Sequence, residues 1–469
     1  MKQTRRDFFL RTGCAALGAS IMSAGLERFG LISALAQEAS APTNYRALVC
    51  IFLSGGNDGN NMVIPADGTG YGAYAAARGA TALAIAQGNL LTITPPSIGT
   101  AFGLHPNLVE LQGLWNQQKV AVVTNVGPLV QPLTRTQYRS GASAPYQLFS
   151  HSDQVTQWST SRSDTRTQVG WGGRVADRTF SFNGGSGFPM ITSVAGATVF
   201  AQGLATRPLG VSPAPTPLNQ LLVLNGFSTS ADAVARKNSM DFLRTIDRTA
   251  TMIASTSDST QQAVDISAAM QIDPTIATVF PNTGLGNQLK QVAKIMKLNQ
   301  ISPALSLNRQ IFFCQLGGFD THQDQVINQG NLFSQLSQAM NAFYNATVEL
   351  GISNAVTTFT LSDFGRTLQP SGTGSAVGTD HGWGNHQFVM GGAVLGGNFY
   401  GVTGANGTVF PTLQLNGPDD TDNRGRWIPT AAVEQYAATL ATWFGLPSAD
   451  LSLVFPLIGR FTTPNLGFV

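Results

Sequence analysis

Three apolar runs constrain this chain most, at residues 45–53, 310–316 and 355–361. Their apolarity is continuous rather than alternating, as in Ala47-Leu48-Val49-Cys50-Ile51-Phe52-Leu53 and Ile311-Phe312-Phe313-Cys314-Gln315-Leu316. An alternating strand has one wet face, whereas a continuous one is covered on both. The runs therefore predict a buried, mostly parallel sheet. A further strand is predicted at 119–124. Residues 106–115, 232–256, 285–299, 331–350 and 430–444 space their apolar side chains three and four apart, with Leu332, Leu336, Met340 and Phe343 on one helical face. Strands alternating with helices give an α/β class with a mostly parallel central sheet flanked by helices. Two stretches rich in glycine and proline, 181–220 and 367–380, are predicted as surface loops or small insertions.

Ligands of such sheets bind beyond the carboxyl ends of the strands. That is where this chain puts its carboxylates: run 45–53 leads to Asp58, run 310–316 to Asp320 and run 355–361 to Asp363. The chain has only five histidines. Three of them fall in two glycine-flanked segments, Gly317-Gly318-Phe319-Asp320-Thr321-His322 and Asp380-His381-Gly382-Trp383-Gly384-Asn385-His386. Imidazole and carboxylate together suit a divalent metal ion such as Zn, Ca, Mg or Mn. Asp320 and His322 read either as a ligand pair on one turn or as a helix-capping Asp beside an exposed His. Asp58, among Asn57, Asn60 and Asn61, is a ligand or ordinary turn chemistry. A carboxylate such as Asp363, leaving a buried strand beside Phe364, is costly unless paired or metal-bound. Arg366 is its alternative partner, or a planar fork of donors for an anionic substrate. His381 is a ligand, and His386 a ligand or an outer partner of one. Ser150 and Ser152, where a helical pattern begins, are candidate nucleophiles or simple caps.

The ends and the charge balance bear on location and partners. Arg5-Arg6-Asp7-Phe8-Phe9-Leu10, an apolar run from Cys14 to Leu26 and Ala34-Leu35-Ala36 form a twin-arginine export signal with a cleavage pattern. Residues 1–36 are thus expected to be cleaved off on export by the twin-arginine export machinery, leaving a single domain over 37–469 in the periplasm or outside the cell. The removed segment carries five basic and two acidic residues out of totals of 27 and 25, so the mature chain is close to neutral. Nucleic acid is not an expected partner. No apolar stretch beyond the signal reaches the roughly 18 residues of a membrane span, so stable membrane insertion is not expected. Cys50 and Cys314 lie inside apolar runs and read as packing residues.

The ordered motifs carry a resemblance. Gly55-Gly56-Asn57-Asp58-Gly59-Asn60-Asn61, Gly170-Trp171-Gly172-Gly173-Arg174, Gly318-Phe319-Asp320-Thr321-His322, Ser362-Asp363-Phe364-Gly365-Arg366-Thr367 and Asp380-His381-Gly382, behind a twin-arginine signal, resemble the bacterial domain-of-unknown-function family 1501. That family is similar to sulfatases and the alkaline phosphatase superfamily. The resemblance implies an alkaline phosphatase-like fold in which Asp58, Asp320, His322, Asp363 and His381 hold metal, with Ser150 to Ser152 near the nucleophile position. Two departures stand out: Phe364 occupies a position where histidine is expected, and no Cys-x-Pro-x-Arg segment supplies a formylglycine. The function implied is an exported metal-dependent hydrolase of phosphate or sulfate esters or related anionic groups, acting on a small anionic or glycan-linked substrate. The alternative is a non-catalytic exported binding or surface-assembly protein that retains the fold.

Overall fold

A computed structural model describes residues 45–469 apart from 80, 185, 222–227, 247, 303–304 and 373–375. The twin-arginine segment and its cleavage pattern lie outside the described residues. The strands are β1 (Arg46–Ser54), β2 (Val63–Pro65), β3 (Leu91–Ile93), β4 (Phe102–Leu104), β5 (Val120–Gly127), β6 (Ile191–Ser193), β7 (Leu209–Gly210), β8 (Arg309–Gly317), β9 (Val356–Ser362), β10 (Asn385–Gly391), β11 (Phe399–Tyr400) and β12 (Ala431–Ala432). The large sheet runs β11-β5-β10-β9-β1-β8-β6-β7, with β12 also on β5, while β2, β4 and β3 form a small separate sheet. β1 pairs in parallel with β8 and β9, and β8 with β6. Only β10 runs against its neighbours in the large sheet, antiparallel to both β9 and β5.

Helices of eight or more residues are α1 (Gly68–Arg78), α2 (Val109–Asn116), α3 (His151–Thr160), α4 (Trp171–Thr179), α5 (Ala231–Thr245), α6 (Thr251–Ala269), α7 (Gly284–Ile301), α8 (Gln325–Glu349) and α9 (Val433–Phe444). They sort by face of the sheet. Val49, Ile51 and Leu53 of β1 pack with Leu111 of α2, Leu289 of α7 and Leu336 of α8. Leu48, Cys50 and Phe52 pack on the other face with Trp158 of α3, Val175 of α4 and Tyr436 of α9. The unbroken apolarity of β1 thus serves two separate cores. Cys50 and Cys314 sit on adjacent strands but belong to opposite faces, and both are free thiols.

Three differences from the sequence reading have physical causes. The expected helix at 232–256 is interrupted between Thr245 and Thr251, where Thr245, Ile246, Thr249 and Thr251 bring β-branched side chains that weaken helix. The stretch 181–220 is not all loop, since β6 and β7 extend the sheet edge there. β10 escapes a search for apolar runs because Asn385, His386 and Gln387 open it with polar side chains, buried all the same. Among the described residues, no helix is long and apolar enough to cross a membrane.

One buried charge is unconnected with the strand-end loops. Glu434, the second residue of α9, is fully buried, and this pushes its carboxyl up to about 8. The unfolded chain releases that proton near pH ~4.3. Between these values the folded chain holds a proton that the unfolded chain lacks, so stability falls as pH rises, by about 1.4 kcal/mol per unit at most. Glu434→Gln, which stays neutral, is expected to flatten this fall when urea midpoints are compared at about pH 6 and about pH 8.5.

Candidate metal centre

The strand-end loops close over a two-glycine turn. Gly55 and Gly56, just after β1, have φ of +115° and +84°, the region open to glycine. A Cβ on Gly55 would lie 2.4 Å from the Asp320 nitrogen, and one on Gly56 would lie 2.3 Å from the Phe364 ring. Any larger residue would push apart the loops that follow β8 and β9. Those loops deliver Asp320 with His322, and Asp363 with Phe364. His381 lies just before β10, which begins where β9 ends because the two are antiparallel. A fourth contributor is His151, the first residue of α3.

Three imidazoles converge on Asp320. Nε2 of His322 is 3.0 Å from its Oδ1, Nε2 of His381 is 3.5 Å from the same oxygen, and Nε2 of His151 is 3.5 Å from Oδ2. Nε2 of His322 and Nε2 of His381 are 3.1 Å apart. The outer nitrogens are anchored: His151 Nδ1 lies 2.7 Å from Asp363 Oδ2, and His381 Nδ1 lies 2.7 Å from the Phe149 carbonyl. His322 Nδ1 faces Asp380 Oδ1 at 3.6 Å. A carbonyl, or an ionised carboxylate, can only accept, so Nδ1 of His151 and His381 carries the hydrogen and Nε2 turns a lone pair inward.

This arrangement fits a metal ion. His151 Nε2 is shielded from solvent and has no hydrogen-bond partner, a costly state for a buried acceptor with nothing to bind. The lone pair of His381 faces another imidazole nitrogen at 3.1 Å, which requires a proton or a cation between them. Ligand atoms about 2.0–2.1 Å from a tetrahedral ion stand roughly 3.3 Å apart, and each imidazole nitrogen here is 3.0–3.5 Å from an Asp320 oxygen. His151, Asp320 and His381 can each offer one atom to a common ion. Imidazoles anchored through their outer nitrogens are what metal-binding histidines need for orientation.

Electrostatics keep Asp320 ionised. Burial opposes ionisation, but the hydrogen bond and charge of Arg366, with His322 and His151 beyond, hold its carboxyl below the usual carboxylate range. Burial makes His381 a weaker base than usual; the Phe149 carbonyl works against this, and the positive charge of Arg366 adds to it.

Asp320, His322 and His381 are thus brought together as the sequence suggests, and the other candidates fall elsewhere. Asp58 is fully taken up by its neighbours: Arg78 donates to Oδ2 at 2.7 Å and to Oδ1 at 3.1 Å, and Gln325 and the Asn60 amide donate as well. Asp363 accepts from the Gly55 amide at 2.9 Å and holds the His151 imidazole in place, and Arg366 is not its partner. Arg366 is no anion clamp. Its side chain is inaccessible to solvent, and it donates to the carbonyls of Gly55, Gly56, Phe319 and Thr379 and to Asp320. His386 sits at a bulge in β10, where its Nδ1 accepts from the Asn125 amide at 3.1 Å and its ring stacks on Phe410. Burial lowers its pKa to about 3, so it is a neutral core residue. The Ser150 hydroxyl donates to Asp153 at 2.8 Å and lies 3.3 Å from that of Ser152, with no bond from either to the imidazoles.

His151 is the residue that sequence reasoning missed, having weighed only the serines on either side of it. The available signal was scarcity, since it is one of five histidines and opens a helix. Its position also accounts for Phe364, whose ring packs 4.7 Å from His151 and 4.5 Å from His381, centroid to centroid. The imidazole lacking from the loop after β9 enters from α3.

Residues 45–414 match the sequence profile of the family described as "Protein of unknown function (DUF1501)". No curated protein sequence matches the chain. Among solved structures, the chain is similar to the C-terminal periplasmic domain of EcEptC from Escherichia coli in complex with Zn, at 9% identity over 76% of each chain and a TM-score of 0.30. It is similar to Ps i-CgsB in complex with k-i-k-neocarrahexaose at 8% identity, over 90% of this chain and 78% of that one, with a TM-score of 0.35. The phosphonate monoester hydrolase of Agrobacterium radiobacter is similar at 9% identity, over 86% and 74% of the two chains, with a TM-score of 0.29.

Removing one member of a buried ion pair leaves the other uncompensated, at a cost of about 3–5 kcal/mol. Asp58→Ala is therefore expected to lower the unfolding free energy from urea denaturation by that amount, through Arg78, while the metal content of the folded fraction, read by elemental analysis, stays that of wild type.

Proposed function

The chain belongs to the DUF1501 family, and we propose that it is an exported metal-dependent hydrolase acting on a phosphate or sulfate ester or a related anionic group. The observation that carries this reading is the convergence of three Nε2 atoms on Asp320. His151, Asp320 and His381 would hold one divalent ion, with His322 beside them, and imidazoles combined with one carboxylate favour zinc over magnesium or calcium. Such an ion polarises an ester oxygen and lowers the pKa of bound water. The chain's own residues set the geometry. Asp363 and the Phe149 carbonyl fix the tautomers of His151 and His381, Arg366 keeps Asp320 ionised, and the Phe364 ring fills the space between two imidazoles.

The twin-arginine segment supports export to the periplasm or beyond by the twin-arginine machinery, and the near-neutral mature chain supports a small anionic or glycan-linked substrate over nucleic acid. One observation favours the second reading, a non-catalytic binding or surface-assembly protein: the hydroxyls of Ser150 and Ser152 are engaged with Asp153 and each other, and neither bonds to the imidazoles.

Protein purified after export is expected to carry about one metal ion per chain by elemental analysis. Asp320→Ala and His151→Ala should lose most of it, Asp363→Ala should weaken it by about 10–100-fold, and Ser150→Ala should keep it. Wild type folded without metal would sink the hydrolase reading. Metal with no turnover of aryl phosphates or aryl sulfates would favour the assembly protein.

A further inference from the structure

With Arg366 committed to backbone carbonyls and Asp320, the positive charge for an anionic substrate has to come from elsewhere. The segment 416–427 offers it. Asp420, fully buried, accepts from the amides of Asn416 at 2.9 Å, Asp422 at 3.3 Å, Gly425 at 3.0 Å and Arg426 at 3.1 Å, and this fixes the loop. Arg424 extends from it to place Nη2 at 2.6 Å from Asp380 Oδ2, whose other oxygen faces His322. Arg426 donates Nε to the His381 carbonyl at 2.9 Å and Nη1 to Asp422 at 2.6 Å, and lies over the Phe149 ring at 4.9 Å. The two guanidiniums therefore flank two of the converging imidazoles.

Both keep donors in reserve. Nε of Arg424 is buried with no partner, and among the described residues neither Nη1 of Arg424 nor Nη2 of Arg426 donates a hydrogen bond. The side chains are 31% and 23% exposed, so each is held at one end and reachable at the other. Asp320, Asp363, Asp380 and Asp422 are carboxylates nearby, and an approaching dianion meets their repulsion unless further cations offset it. We propose that Arg424 and Arg426 form an anion-recognising rim beside the metal centre, binding the non-bridging oxygens of a tetrahedral phosphate or sulfate group. This rests on the metal-centre reading above. Planar forks of N–H groups suit a tetrahedral oxyanion, and the charge assistance makes such bonds strong.

The test is calorimetric titration of inorganic phosphate and inorganic sulfate into zinc-loaded full chain, with the zinc content of every sample measured. Arg424→Gln and Arg426→Gln are each expected to weaken binding at least about tenfold with zinc retained, and Arg424→Lys to restore part of the loss. Arg178→Gln, on an exposed arginine at the end of α4, should stay within about twofold of wild type. Dependence of either anion on the arginines supports the rim, and the tighter anion identifies the ester. Zinc-loaded wild type that binds neither anion overturns the proposal, as does affinity within about twofold of wild type in both Gln variants. Zinc lost from Arg424→Gln overturns it too, because Arg424 then serves only to hold Asp380. Wild type that takes up no zinc removes the metal centre and the rim with it, and elemental analysis separates that failure from the others.

Discussion

The strand-end loops depend on one buried cation. Arg366 reaches the carbonyls of Gly55 and Gly56 after β1, Phe319 and the Asp320 carboxylate after β8, and Thr379 ahead of β10, while its own backbone follows β9. Loops beyond the end of a sheet have no ladder partners, so their carbonyls must find donors when buried. A guanidinium has five N–H groups in a plane and cannot lose its charge at any ordinary pH. It can therefore tie three loops at once, where an amide or hydroxyl would leave carbonyls unsatisfied. Lysine would bring charge but neither the number of donors nor their fixed directions. The same residue also bears directly on the site, since its hydrogen bond and charge keep Asp320 ionised beneath the imidazoles.

A second buried pair extends this framework outward. Arg78, at the end of α1, donates to Asp58 and to the carbonyls of Thr367 and Leu368. The turn after β1 is thereby clamped from both sides, by Arg366 through its carbonyls and by Arg78 through Asp58. Arg78 and Arg366 are both fully buried and both hold loops. Burying a charge is costly unless it is fully paired, and both arginines meet that condition. Rigid loops are what a centre of converging imidazoles requires, because metal ligands displaced by a fraction of an ångström lose their common point.

How far the sequence could be read follows from the range of each interaction. The strands of the parallel sheet are legible because burial on both faces writes itself into consecutive residues, as in 47–53. Asp320, His322 and His381 are legible because strand ends are where such sheets gather ligands. Asp58 and His386 mislead for the same reason: residue type and position next to a strand say nothing about a partner 20 residues away on α1, or about a bulge that turns an imidazole into the core. Arg366 misleads because a free arginine and a saturated one have the same letter. The number of carbonyls within its reach is a property of three loops together.

Phe364 and His151 show the limit most clearly. Compared along the chain, Phe364 is a missing ligand and the centre looks one imidazole short. In space, the phenyl ring lies against His151 and His381, and His151 brings its Nε2 to within 3.5 Å of Asp320 from a helix about 200 residues earlier. An apolar ring at that position gives the imidazoles a wall that excludes water and offers no competing donor. Asp363, freed from any pairing with a neighbouring histidine in sequence, turns instead to the outer nitrogen of His151. Asp363, the neighbour of Phe364, thus anchors an imidazole that arrives from another element. That imidazole comes from the start of a helix rather than from the residue beside Asp363, and motif spacing along the chain cannot register this.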